Sequence, residues 1–136
     1  MIKKRVPDKF KARSMLEAAE ADMKFTKTLA VSKESGSTIV RNVYDCFRKL
    51  GDSLLLIRGK EAVGRGQHND AINELLRLQA ATKRPIQILG NLKDLRNNIS
   101  YEAYIPSVEE TEDALSVADA CFKPIVAEIE KELSKL

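Results

Sequence analysis

The sequence predicts an all-α protein, an antiparallel up-and-down bundle of four long helices plus one short helix, built as a single domain over residues 1–136. Three observations lead there. Apolar residues recur in alternating steps of three and four along most of the chain, the spacing that gathers them on one face of a helix. Aromatic residues make up only 5% and Trp is absent, so the core must come from Leu, Ile, Val, Ala and Met, a set suited to packed helices more than to sheets. The stripes are separated by modest connections, and antiparallel packing is then the most economical way to bury them all.

The first helix follows a basic lead, and either Pro7-Asp8 or the capping box Ser14-x-x-Glu17 can start it. Its stripe is Ala12, Leu16, Ala19, Met23, Thr26 and Ala30, flanked by Met15, Phe25 and Leu29. Ser35-Gly36-Ser37 is expected to stop it, with the glycine as a left-handed cap and Ser37 opening the next helix. That second helix carries Ile39, Val43, Cys46, Leu50 and Ile57, with Val40, Phe47 and Leu54 alongside. A face this wide meets two neighbours and makes the helix central. Gly51 in its middle costs about 1 kcal/mol relative to Ala and permits close approach of another helix.

Gly59 to Gly66 superficially looks like a phosphate loop, but it lacks the Gly-Lys-Ser/Thr ending and follows a helix instead of a strand. It reads as a flexible connection whose Lys60 and Arg65 can reach a phosphate backbone. Asn69 or Asp70 then caps a short helix with Ala71, Ile72, Leu75, Leu76 and Leu78. His68, the one histidine, precedes it and reads as a surface or capping residue. Pro85 opens the helix of Ile88, Leu89, Leu92, Leu95 and Ile99. Ser107-Val108-Glu109-Glu110 is a capping box for the last helix, which holds Ala114, Leu115, Ala118, Cys121, Phe122, Ile125, Ile129, Leu133 and Leu136. Pro124 inside it predicts a kink, because it removes one backbone donor and presses on the carbonyl of Ala120.

No run of about eighteen apolar residues is present, which argues against a membrane span, and Met1 to Arg5 lead into no signal-peptide hydrophobic region. A cytoplasmic protein is the expectation. Cys46 and Cys121 fall on apolar stripes with no Cys or His at ligand spacing, so they read as buried reduced thiols, with no metal and no cofactor expected. The net charge of +3 is too mild to imply a nucleic-acid partner by itself. Basic residues do crowd the N-terminal half, while Glu109, Glu110, Glu112 and Asp113 make the start of the last helix acidic, where they suit the helix dipole.

The stretch from Leu95 to Tyr104 carries most of the functional content. It brings a guanidinium, amides, a hydroxyl and two phenols to the end of an apolar-periodic segment. Arg96 and Ser100 are four apart, as are Asn97 and Tyr101, so both pairs rise one above the other on adjoining stripes. Asn and Ser weaken a helix interior by competing for its backbone. They also commonly fill the last turn before a proline, here Pro106, which is the plain structural explanation.

Arg96-Asn97, followed by three residues and the ring of Tyr101, on the penultimate long helix of an all-helical chain, resembles the signature region of the HEPN family. Arg96 matches the family's Arg and Asn97 its polar neighbour, while Tyr101 stands where ribonucleolytic members carry His. The resemblance implies the up-and-down helical fold. It also implies a homodimer and, at most, metal-independent ribonuclease chemistry in which Arg and His act on the ribose 2′-hydroxyl and the scissile phosphate. The candidate catalytic residues are therefore Arg96, Asn97 and Tyr101. The candidate nucleic-acid or nucleotide contacts are Arg96, Asn97, Ser100, Tyr101, Tyr104, Lys60 and Arg65. Arg grips phosphate bidentately, whereas a phenol with an unperturbed pKa near 10 is a poor base at neutral pH.

Three readings follow. One is a HEPN-like dimer that binds RNA or nucleotide with ribonuclease activity lost or weakened, within a toxin-antitoxin or defence system. Another is a HEPN subunit that partners, and is modified by, a minimal nucleotidyltransferase, with Tyr101 or Tyr104 as acceptor; the relatives' acceptor position corresponds to Ala103. The third is a non-enzymatic helical interaction module in which Arg96 bonds groups at a dimer seam.

Overall fold

Ile39, Val43, Tyr44, Phe47, Leu50 and Leu54 follow one another in steps of one, three and four, and all are fully buried. The helix that carries them, α2 (Gly36–Ile57), is the one the rest pack against. A computed structural model describes residues 1–136. Around α2 it places α1 (Lys9–Thr26), α3 (Gln67–Leu76), α4 (Ile88–Glu102) and α5 (Val108–Leu133), together with two short strands, β1 (Ile2–Lys4) and β2 (Lys60–Ala62). The protein is thus mainly helical, with five helices. No helix is long and apolar enough to cross a membrane.

Two short strands accompany the helices of this mainly α-helical fold. β1 and β2 pair antiparallel, with Ile2 opposite Ala62, Lys3 opposite Glu61 and Lys4 opposite Lys60. Half of the segment expected to be a flexible connection is therefore tied to the chain's beginning. Arg5 N–H donates to Gly59 O at 2.8 Å, and the Arg5 guanidinium meets Glu61 at 2.6 Å. Gly59 has a φ of 69°, and a Cβ there would lie 2.7 Å from Arg5 O, so only glycine lets the chain leave α2 and close on that strand.

Asp8 settles the start of α1, since its carboxylate accepts from Lys11 N at 3.0 Å while Ser14 and Glu17 lie inside the helix. The helix ends at Thr26, short of Ala30. There the hydroxyls of Thr26 and Thr28 bond back to the carbonyls of Asp22 and Phe25. Ser32 and Ser35 then lock the turn reciprocally, each side-chain oxygen accepting the other's backbone N–H. Gly36 is already helical and is no left-handed cap. A Cβ there would meet Thr111 Oγ1 at 2.7 Å, so it lets the start of α2 lie against the start of α5. Gly51 acts as expected: its Cβ would come 2.2 Å from Ala71 O, so α3 backbone rests directly on α2.

Gly66, with a φ of 77°, sets the start of α3, and Asn69 and Asp70 fall within the helix instead of capping it. At the other end of the chain Ser107 and Glu110 form the expected capping box of α5. That helix runs unbroken through Pro124. The carbonyl of Ala120, which loses its usual donor to the proline, accepts instead from Lys83 N at 3.0 Å, in the segment between α3 and α4. Cys46 and Cys121 are buried free thiols, and burial raises the Cys46 thiol to about 12, so it stays protonated and unreactive.

Candidate functional site

Leu95 packs against the core, so its neighbour Arg96 leaves α4 at the margin of the buried face, half-buried. Arg96 Nη1 donates to Tyr101 Oη at 3.1 Å and to Asn97 Oδ1 at 3.3 Å. The guanidinium carbon lies 5.1 Å from the centroid of the Tyr44 ring and 5.6 Å from that of Tyr101. A planar cation lying over two rings is attracted by both quadrupoles. Tyr44 comes from α2 and is fully buried, whereas Tyr101 is 69% exposed. One of the two rings thus belongs to the core and the other to the surface.

Beyond Tyr44 lies His68, in the first turn of α3. The two rings are parallel within 7°, with centroids 6.4 Å apart. Three elements therefore build one column, Tyr101, Arg96, Tyr44 and His68. Its polar atoms are under-satisfied. The buried side-chain nitrogen and oxygen atoms without a hydrogen-bond partner are Tyr44 Oη, His68 Nδ1 and Arg96 Nε, and all three belong to this column. Arg96 also differs from the other half-buried arginines. Arg13, Arg48, Arg58 and Arg84 each meet a carboxylate, while Arg96 meets none.

Burial raises the pKa of the Tyr44 hydroxyl, against the pull of Arg96 and Arg48. It lowers that of His68, and Arg48 and Arg96 add to the effect while Asp45 opposes it. The imidazole is neutral at pH 7. The site therefore offers a cation, two phenol rings and a neutral imidazole, with nothing acidic touching Arg96. No group of three or more His, Cys, Asp or Glu side chains converges to hold a metal ion.

The other candidate residues are elsewhere engaged. Tyr104 Oη donates to Glu110 Oε1 at 2.5 Å, the oxygen that also accepts from Ser107 N, so it is tied to the capping box of α5. That bond raises the pKa of the Tyr104 phenol. Lys60 lies 3.8 Å from Glu74, a carboxylate only 2% exposed that also receives Arg58 and Arg77. Ser100 and Arg65 are exposed, and no hydrogen bond or ion pair links their side chains to Arg96. The structure therefore brings together Arg96, Asn97 and Tyr101 and leaves Ser100, Tyr104, Lys60 and Arg65 outside the column.

Tyr44 and His68 are the members sequence reasoning missed. Tyr44 had a signal, a hydroxyl-bearing ring on the apolar face of the central helix. His68 had only its uniqueness, because nothing in its spacing joins the start of α3 to the end of α4. No protein-family model, curated protein or solved structure matches the chain.

Proposed function

We propose that the protein is a HEPN-like up-and-down helical bundle that binds RNA or nucleotide through Arg96, Asn97 and Tyr101, as a homodimer, with ribonuclease activity lost or weakened. A place in a toxin-antitoxin or defence system accords with that chemistry. One observation carries the reading: Arg96 lies over two tyrosine rings with no carboxylate to neutralise it. A cation so placed keeps its remaining N–H donors for an incoming phosphate, which it recognises in a bidentate manner. The exposed Tyr101 ring supplies a stacking face for an unpaired base. Its oxygen accepts from Arg96 and so remains free to donate its own proton to a phosphate oxygen.

Cleavage needs a group that exchanges a proton near neutral pH at the ribose hydroxyl. Tyr101 is a poor candidate, and His68 lies behind Tyr44. The test is incubation of a labelled single-stranded RNA with the protein in EDTA, comparing wild type with Tyr101→His. Cleavage by the histidine variant alone supports a disarmed ribonuclease frame. If neither variant binds the RNA, the reading fails. Light scattering tests the dimer, and a monomer would remove a site shared between copies.

A second reading, modification by a minimal nucleotidyltransferase, is favoured by a specific contrast. The Tyr101 oxygen accepts from Arg96 and its ring is 69% exposed, whereas the Tyr104 hydroxyl is engaged as a donor to the Glu110 carboxylate, which opposes its ionisation. Tyr101 is therefore the acceptor in this reading. Its phenol oxygen would attack the α-phosphorus of a nucleoside triphosphate, releasing pyrophosphate and the phenolic proton. Intact mass after co-expression with a transferase encoded next door would show a nucleotidyl adduct, absent in Tyr101→Phe.

A further inference from the structure

An open groove of about 630 Å³ runs between α1 and α5, on a different part of the molecule from Arg96. Its floor is apolar, formed by Met23, Phe122 and Val126, and its shoulders are the small side chains of Ala21 and Ala127. Two ion pairs tie the same two helices together. Lys27 reaches Asp119 at 2.9 Å, and Arg13 reaches Glu130 at 3.0 Å. The pairs occur in opposite order along the two helices, so α1 and α5 run antiparallel here. The lining runs from Glu20 to Lys27 and from Phe122 to Ala127, by helical rise about 10 Å along α1 and about 8 Å along α5. Between them, Lys24 on one wall and Lys123 on the other stand without a carboxylate partner, and Glu20 is the one acid on the lining.

We propose that this groove receives an acidic amphipathic helix from a partner protein. The space between two antiparallel helices is where a third packs ridge into groove, and alanine shoulders let its backbone come close. The lined length matches about two helical turns at about 5.4 Å each, enough to seat one apolar ridge. Cations on opposite walls call for carboxylates on both flanks of the occupant's apolar ridge. A helix supplies these, whereas a single-headed amphiphile such as a fatty acid has only one. A second copy of this chain is disfavoured, because pairing the face with itself gathers two unpaired lysines from each copy at one seam with only one Glu20 from each to offset them. Glu20 adds a register constraint, since the occupant's residue opposite it must be neutral or basic.

The experiment uses a fluorescent, hydrocarbon-stapled helical peptide with a leucine ridge flanked on both sides by glutamates, titrated into the full chain and read by anisotropy. Saturable binding that weakens with salt is expected. The double variant Lys24→Glu/Lys123→Glu should lose roughly tenfold or more in affinity. A peptide with lysines in place of the glutamates should recover binding to that variant, with far-UV circular dichroism unchanged throughout. The proposal is overturned if wild type ignores the acidic peptide, if a glutamine-flanked peptide binds equally well, or if the charge-reversed variant binds like wild type. Displacement by palmitate at equal occupancy, insensitive to charge reversal, would also overturn it.

Discussion

The guanidinium of Arg96 lies against the face of the Tyr44 ring, 5.1 Å from its centroid, yet Arg96 Nε and the Tyr44 hydroxyl are both buried without a partner. Packing and polar satisfaction are at odds here. A buried polar atom left unpaired costs on the order of 1–3 kcal/mol, so such a column is retained at the expense of stability. Strain of this kind concentrates where a ligand supplies the missing partners.

Arg96→Ala should therefore weaken binding of single-stranded RNA far more than it weakens the fold. The lost stacking against two rings is offset by removal of an unsatisfied Nε, and stability should change by no more than about 1 kcal/mol. Arg96→Lys keeps the charge but loses the planar fork, so its affinity should fall nearly as far. Anisotropy and urea denaturation measure the two effects separately. Full affinity in the lysine variant would mean that charge alone is read.

Tyr44→Phe removes an unpartnered buried hydroxyl while keeping the ring that carries Arg96. Stability should stay the same or rise by up to about 1 kcal/mol. A loss greater than that, in urea denaturation, would place a bonding partner on the hydroxyl. Unchanged stability with weaker RNA binding would instead assign the hydroxyl to the ligand.

His68 gives the site a pH dependence with a definite sign. Burial first, then Arg48 and Arg96, hold its pKa below the unfolded value near 6.5, with Asp45 acting the other way. Between the folded and unfolded values the unfolded chain binds more protons, so this residue makes stability fall as pH drops through that window. An anion at Arg96 offsets part of the repulsion and raises the imidazole's pKa. Binding then takes up protons, and affinity for a phosphorylated ligand should strengthen from pH 7 to pH 5.5 in wild type. His68→Gln should give a flatter profile by calorimetry.

Asp52, about two turns along α2 from Tyr44, titrates in the opposite sense. Burial raises its pKa from 3.8 to about 6 despite Arg48 and Lys11, with Glu61 adding to the rise. The folded state therefore binds more protons between those values. Its contribution to stability improves as pH falls through about 6 and is least favourable above. Asp52→Asn should stabilise the protein at pH 7.5 by on the order of 1–2 kcal/mol, with the gain vanishing below about pH 4. Denaturation at the two pH values decides it, and an equal effect at both would rule out the carboxylate's charge as the cause.

The helices were legible because burial repeats with the period of the backbone: Leu16, Ala19 and Met23 need only their own neighbours to declare a face. β1 was not, since three residues show no periodicity and its partner lies some sixty positions along the chain. Gly51 could be read as a close approach, but Gly36 could not, because the atom it makes room for is Thr111 Oγ1 on another helix. The same limit governed the site. Arg96, Asn97 and Tyr101 share one helical turn or its neighbour and announced themselves together, whereas Tyr44 and His68 reach the column only through the packing of α2 and α3.

Pro124 shows how such long-range demands offset a local penalty. Proline in a helix interior costs about 3 kcal/mol relative to Ala, partly through the carbonyl it leaves unpaired. Here that carbonyl, on Ala120, holds Lys83 N–H at 3.0 Å, and the next residue, Cys121, lies with its Sγ 3.8 Å from Arg84 O. Arg84 in turn reaches Asp113 at 2.8 Å, so the whole approach to α4 is fastened along α5. In Pro124→Ala the restored amide competes for the same oxygen. The helix gains its missing bond, and stability should rise by about 1–2 kcal/mol, while the Lys83 amide loses protection in hydrogen exchange. Because α4 carries Arg96, looser fastening should also weaken RNA binding modestly. A variant that is less stable than wild type would mean that the anchor at Lys83 outweighs the proline's cost.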